Sequence, residues 1–176
     1  MLRSLVGSEM CIRDSSSTAR KIPLDLYMTS KKLTPKQQQL NDMMQRRAPD
    51  LRIRHYNDSA SRDLLGRVCG SSALRAYDCL RPPAFKADLW RYCVLWALGG
   101  IYLDADDEIT LPVHSLVAPC DSLVLVRDRC AHAPTRSRWE AEVPCTTGSM
   151  IQISFLAATK GSALMRCGLD SIIKHT

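Results

Sequence analysis

Residues 82–109, PPAFKADLWRYCVLWALGGIYLDADDEI, constrain the fold more tightly than any other stretch of the chain. Two prolines suit the first turn of a helix, a dense apolar run fills it, and Gly99-Gly100 supplies the stop. Ile101 to Asp106 then reads as a strand, with Asp104, Asp106, Asp107 and Glu108 crowded at its end. Carboxylates that close repel one another, and an unpaired buried charge is expensive. A positive partner is expected there, either a metal ion or a basic side chain.

Strand side chains alternate between faces. Ile101, Leu103 and Ala105 would share a core face, while Tyr102, Asp104 and Asp106 would share the other. Ligand crevices in open α/β sheets lie at the carboxyl ends of strands. Hard divalent cations such as Mg²⁺ and Mn²⁺ take oxygen ligands there, often one or two carboxylates plus substrate phosphates. Asp88 and Arg91 are three residues apart, hence on one face of the preceding helix. Alone they read as an intrahelical surface pair. Beside the D-x-D, the guanidinium gains a second use, balancing carboxylate and phosphate charge.

Two other readings of the acids fail on residues. An EF-hand loop starting at Asp104 needs a glycine at its sixth position and a glutamate at its twelfth, where this chain has Ile109 and Ser115. A dehalogenase-type phosphatase needs Thr or Val two residues after its D-x-D, and Glu108 stands there.

The rest of the chain alternates strand and helix signals. Lys21–Thr29 reads as a first strand. Thr34, Pro35 and Gln37 then mark a helix start with a capping box. Leu51–Asn57 reads as a second strand with Asp58 as a possible cap, followed by a short helix from Arg62 to Cys69 closed by Gly70. Ser122–Asp128 reads as a strand. Ser149–His175 reads as a strand or helix leading into a final helix from about Ser162. This alternation predicts an α/β domain with a mainly parallel sheet flanked by helices.

The central segment, KADLWRYCVLWALGGIYLDADDEI, closely resembles the DXD sugar-binding region of glycosyltransferase family 32. The family pattern, A-D-x-x-R-Y followed by G-G-x-Y-x-D-x-D, is matched at Ala87, Asp88, Arg91, Tyr92, Gly99, Gly100, Tyr102, Asp104 and Asp106. Weaker similarity extends over residues 21–174. The His-Gln-x-Trp of many relatives is absent from KIPLDLYMTSKKL, and IQISFLAATKGSALM lacks the family's Asn, Pro and His.

The resemblance implies a GT-A fold, a nucleotide-sugar donor (UDP- or GDP-hexose) and a divalent metal, usually Mn²⁺. It also implies hexose transfer with retention to a glycan, glycolipid or protein acceptor, in the Golgi or secretory-pathway lumen. By position, Asp88 and Arg91 would contact donor sugar and diphosphate, and Tyr102 the ribose or base. Asp104 would bridge ribose, sugar and metal, with Asp106 a direct metal ligand. Asp107 and Glu108 read as solvated acids beside them. The family carries further chain after the segment that ends here, so the resemblance implies a partial domain over residues 19–176. His175 is too near the end to stand in for a missing ligand. A catalytically incomplete sugar-nucleotide-binding module, or a structural or interaction module, is the alternative.

Composition narrows the remaining classes. No run approaches the ~18 apolar residues of a membrane span. Residues 1–18 contain LVGSEMCIRDS, which resembles translated adapter read-through, and are expected to form a non-native leader that hides any true signal or anchor. The net charge is +6: residues 1–81 hold 15 basic and 8 acidic side chains, and residues 82–176 hold 9 and 10. The basic half has no long like-charge run and few interleaved aromatics, so no nucleic-acid partner is expected.

Eight cysteines without a C-x-x-C pair argue against zinc. Cys93 reads as a buried free thiol in the helix. Cys69, Cys79, Cys120, Cys130 and Cys145 read as loop residues able to pair in an oxidising lumen. Trp90 and Trp96 read as core residues. Trp139 sits in a polar loop, and His55, His114 and His132 read as surface or strand-end residues.

Overall fold

A computed structural model of the chain describes residues 20–127 and 151–176. The leader, Cys130 and Cys145, His132 and Trp139 lie outside them. The elements run β1 (Asp25–Thr29), α1 (Pro35–Arg47), β2 (Arg52–Tyr56), α2 (Asp58–Cys79), α3 (Pro83–Leu98), β3 (Gly100–Leu103), α4 (Val113–Leu116), β4 (Leu123–Arg127), β5 (Ile151–Ala158) and α5 (Ala163–His175).

The five strands form one sheet in the order β2-β1-β3-β5-β4. β1 pairs in parallel with β2 and with β3, while β5 pairs antiparallel with both β3 and β4. The expected mainly parallel sheet is therefore a mixed one. The cause is the position of β5, which inserts between two strands that share a direction and runs against both.

Helices cover both faces. Tyr27, Trp90, Tyr102, Leu156 and Leu169 belong to a core under α2, α3 and α5. Leu26, Met44, Ile101, Leu103 and Val113 belong to a second core under α1 and α4. β3 is buried on both faces because each one meets a helical layer. An all-apolar strand at the centre of a covered sheet is what that environment selects.

Local signals explain several boundaries. Thr34 caps α1 through the expected reciprocal box, with its backbone N–H donating to Gln37 Oε1 at 2.8 Å. β1 starts later than expected, at Asp25. Asn57, rather than Asp58, caps α2, its side-chain oxygen accepting from the Ala60 N–H at 2.9 Å. The short helix expected over Arg62–Cys69 extends from Asp58 to Cys79. Gly70 breaks it with a φ of 81° instead of ending it, because the chain resumes helical geometry afterwards.

Gly99 and Gly100 turn α3 directly into β3 with φ values of 71° and 116°. A Cβ on Gly99 would lie 2.6 Å from the Lys160 nitrogen, and one on Gly100 would lie 2.7 Å from the Asp25 carbonyl. Both the left-handed backbone and the close approach exclude a side chain here.

Cys93 is disulfide-bonded to Cys69, with Cα atoms 6.1 Å apart, which corrects the reading of Cys93 as a free thiol. Cys69 also lies in a helix, not a loop. The packing of α2 against α3 brings the two together. Cys79 closes α2 as an exposed free thiol. Trp90 is buried as expected, and its indole N–H donates to the Ser61 carbonyl at 3.1 Å. No helix among the described residues is long and apolar enough to cross a membrane.

Candidate functional site

α3 lies against the sheet so that one of its faces meets the carboxyl end of β3. Arg91 sits on that face and its side chain is only 5% exposed. Burying a guanidinium demands partners for its donors. Its Nη1 donates to the Ile153 carbonyl at 2.5 Å, and its Nη2 reaches Asp88 Oδ1 at 3.0 Å and Asp104 Oδ1 at 3.2 Å. Its guanidinium carbon lies 4.6 Å from the Tyr102 ring centroid. Arg91 is thus the positive hub that the acids require.

Tyr102 is fully buried, and its hydroxyl donates to Asp104 Oδ1 at 2.5 Å. Burial, with the two nearby carboxylates, pushes that phenol well above its ordinary value, so it stays a donor at physiological pH. Asp104 therefore receives two hydrogen bonds on one oxygen. Its other carboxylate oxygen has no hydrogen bond among the described residues.

The electrostatics of the acids are strained. Burial raises the pKa of Asp104, the phenol and guanidinium lower it, and the neighbouring Asp107 and Asp106 raise it further, for a net upward shift. Asp88 is likewise raised by burial, against the opposing pull of Arg91. Among the described residues, Arg91 is the cation in contact with both Asp88 and Asp104.

Asp106 departs from the expected strand alternation. β3 ends at Leu103, and the Asp104 backbone makes one further sheet bond, donating to the Ser154 carbonyl at 2.9 Å. The chain then turns, with the Asp107 N–H donating to the Asp104 carbonyl at 3.0 Å. Asp106 lies inside this turn, exposed, and has no hydrogen bond or ion pair among the described residues. A turn, not a shared strand face, sets its position relative to Asp104.

The structure thus joins Asp88, Arg91, Tyr102 and Asp104 in one network and leaves Asp106 at its solvent edge. Glu108, also exposed, lies 3.9 Å from Arg47. No cluster of three His, Cys, Asp or Glu side chains able to hold a metal occurs among the described residues. His114 is at the surface as expected, its Nε2 3.0 Å from Asp50 Oδ1. His55 stands at the end of β2, its Nε2 2.7 Å from the Ser30 hydroxyl.

Sequence reasoning missed the role of β5. The Ile153 and Ser154 carbonyls hold Arg91 and Asp104, yet a backbone acceptor carries no residue signature.

Residues 34–123, which include this whole network apart from the β5 carbonyls, match the glycosyltransferase sugar-binding region containing the DXD motif. The chain belongs to this family. No curated protein and no solved structure matches it. Within this glycosyltransferase region the motif aspartates are Asp104 and Asp106. The mixed five-stranded sheet flanked by helices is compatible with a GT-A-like domain.

Proposed function

We propose that the chain is a metal-dependent hexosyltransferase. It would take a hexose such as mannose or glucose from a UDP- or GDP-linked donor and transfer it, with retention, to a glycan, glycolipid or protein acceptor. The observation that carries this reading is the Arg91–Asp104 contact. It holds one oxygen of the first motif aspartate inward and leaves the other without a hydrogen bond among the described residues, next to an exposed Asp106.

The donor set fits a hard divalent cation such as Mn²⁺ or Mg²⁺, since both groups left unpartnered among the described residues are carboxylate oxygens. Asp104 and Asp106 would hold it, with phosphate oxygens completing the shell. When bound it would supply Lewis acidity toward the departing diphosphate.

The protein's own groups have separable tasks. Arg91 and Tyr102 lock Asp104 in one orientation. Asp88, half-buried beside Arg91, is placed to accept from donor sugar hydroxyls, and the guanidinium balances charge as the diphosphate leaves. In the transfer the bond from the anomeric carbon to the diphosphate breaks and a bond to an acceptor hydroxyl forms. The hydroxyl proton departs with the nucleoside diphosphate. Tyr102 acts in this scheme through Asp104, since burial keeps its ring from an open nucleotide surface.

The Cys69–Cys93 disulfide supports a place in an oxidising compartment such as the Golgi or secretory-pathway lumen, where such bonds persist.

Calorimetry of UDP- and GDP-hexoses with and without Mn²⁺ tests the proposal. Saturable binding that requires the metal is expected. Its absence for both donors would overturn the reading, and binding without transfer would favour the non-catalytic module.

A further inference from the structure

Beyond the motif network, on the opposite face of the sheet, the described residues line a cavity of about 230 Å³ that is open to solvent. Its walls are largely apolar: Leu103, Ile109, Leu116, Val126 and Phe155 face it, from β3, the segment after the turn, α4, β4 and β5. An apolar cavity of about 150 Å³ is already enough to hold a benzene ring. Leu103 and Asp107 flank the motif turn itself and both line the cavity, so it opens beside the aspartates that would carry the donor.

The polar residues of the cavity are Asp107, Glu108, Thr110, Gln152 and Ser154. Ser154 lines it, and the Ser154 hydroxyl is buried without a hydrogen-bond partner among the described residues. A buried hydroxyl left unpaired is costly. Its position follows from a register shift between β4 and β5. Leu125 pairs with Leu156, but Val126 pairs with Gln152, so residues 153–155 fall out of step. Irregularities of this kind re-aim side chains beside active sites. The same three residues supply the carbonyl that holds Arg91 and the one that holds Asp104.

We propose that this cavity receives the apolar part of the acceptor, an aliphatic chain or comparable hydrophobic aglycone, while its sugar or hydroxyl head lies at the Asp104–Asp107 turn. The inference rests on the glycosyltransferase reading for the word acceptor, but not for the existence of the site. The apolar walls suit a chain that water rejects. The Asp107 carboxylate, at the turn, suits the hydroxyls of the head group. A wholly polar acceptor would leave these apolar walls without a complement.

The test is a series of methyl, butyl, hexyl and octyl β-D-glucosides, titrated by calorimetry below their micelle concentrations, without donor or metal. Affinity should rise about fourfold for each methylene that enters the cavity. Leu111 also lines the cavity and is 45% exposed, so Leu111→Asp leaves the core intact and should flatten the series. Leu116→Asp, on α4, should do the same. A flat series in the unaltered protein, or a steep one unchanged by both substitutions, would overturn the site.

With Mn²⁺ and a bound hexose donor, octyl glucoside should be glycosylated faster than methyl glucoside. Equal rates would overturn the acceptor assignment. Failure of donor binding would instead count against the glycosyltransferase reading, and the chain-length series would still decide the cavity.

Discussion

Arg91 Nη2 stands 3.2 Å from Asp104 Oδ1, across thirteen residues of chain, and ties the middle of α3 to the first aspartate of the motif. The pair is asymmetric: the guanidinium is almost wholly buried, while the carboxylate is 31% exposed. Removing the cation takes the shared positive partner from Asp88 and Asp104 and leaves Asp104 only the Tyr102 hydroxyl. Arg91→Met should therefore lower stability by about 3 kcal/mol, since breaking a buried pair costs more than the pair contributes. Arg91→Lys keeps the charge but not the fork, and should fall between. Urea unfolding of the three proteins checks the order.

Asp106 has the opposite character. It is exposed, in a turn, with no partner to lose among the described residues, so Asp106→Asn should shift stability by no more than about 0.5 kcal/mol. Metal-dependent donor binding should nonetheless disappear. Calorimetry beside a thermal melt separates the two effects, and retained binding would remove Asp106 from the metal site.

The Cys69–Cys93 bond closes a loop of 24 residues' separation that includes the Gly70 kink and the turn into α3. Reduction, or the Cys69→Ser, Cys93→Ala double substitution, should destabilise the protein by about 3 kcal/mol in the chain-entropy account. Cys120 is also disulfide-bonded, so reductant should shift the melt of the unaltered chain by more than it shifts that of the double variant.

His55 gives a pH dependence of defined sign. Burial lowers its pKa below the ordinary 6.5, against a weaker opposing contribution from its hydrogen bond to Ser30. The folded state then binds the proton less readily than the unfolded state does. Stability should fall as pH drops below 6.5, and level off once the folded-state pKa is passed. His55→Gln should remove this component, which melts between pH 7 and pH 5 would show as converging curves. Parallel curves would mean that His55 is solvated.

Near-neighbour physics made part of this protein readable in one dimension. Proline at the start of α3, glycine at its end, the capping box at Thr34 and the three-residue spacing of Asp88 and Arg91 all act within a turn or two. Their effects therefore stay with the sequence wherever the segment is placed. The candidate site was legible to the same extent: the acids announced a need for positive charge, and Arg91 was close enough along the chain to be suspected.

Other features depended on contacts between distant segments. Ile153 meets Arg91 across 62 residues. The antiparallel insertion of β5 breaks the expected parallel sheet, and the pairing of Cys93 with Cys69 depends on how two helices pack. The turn after Leu103, which moves Asp106 off the strand, forms where sheet pairing ends. Sequence chose the local elements because backbone sterics and capping are local. The tertiary structure alone decided which groups share the buried space at the end of β3, because desolvation is settled by everything that packs around a charge.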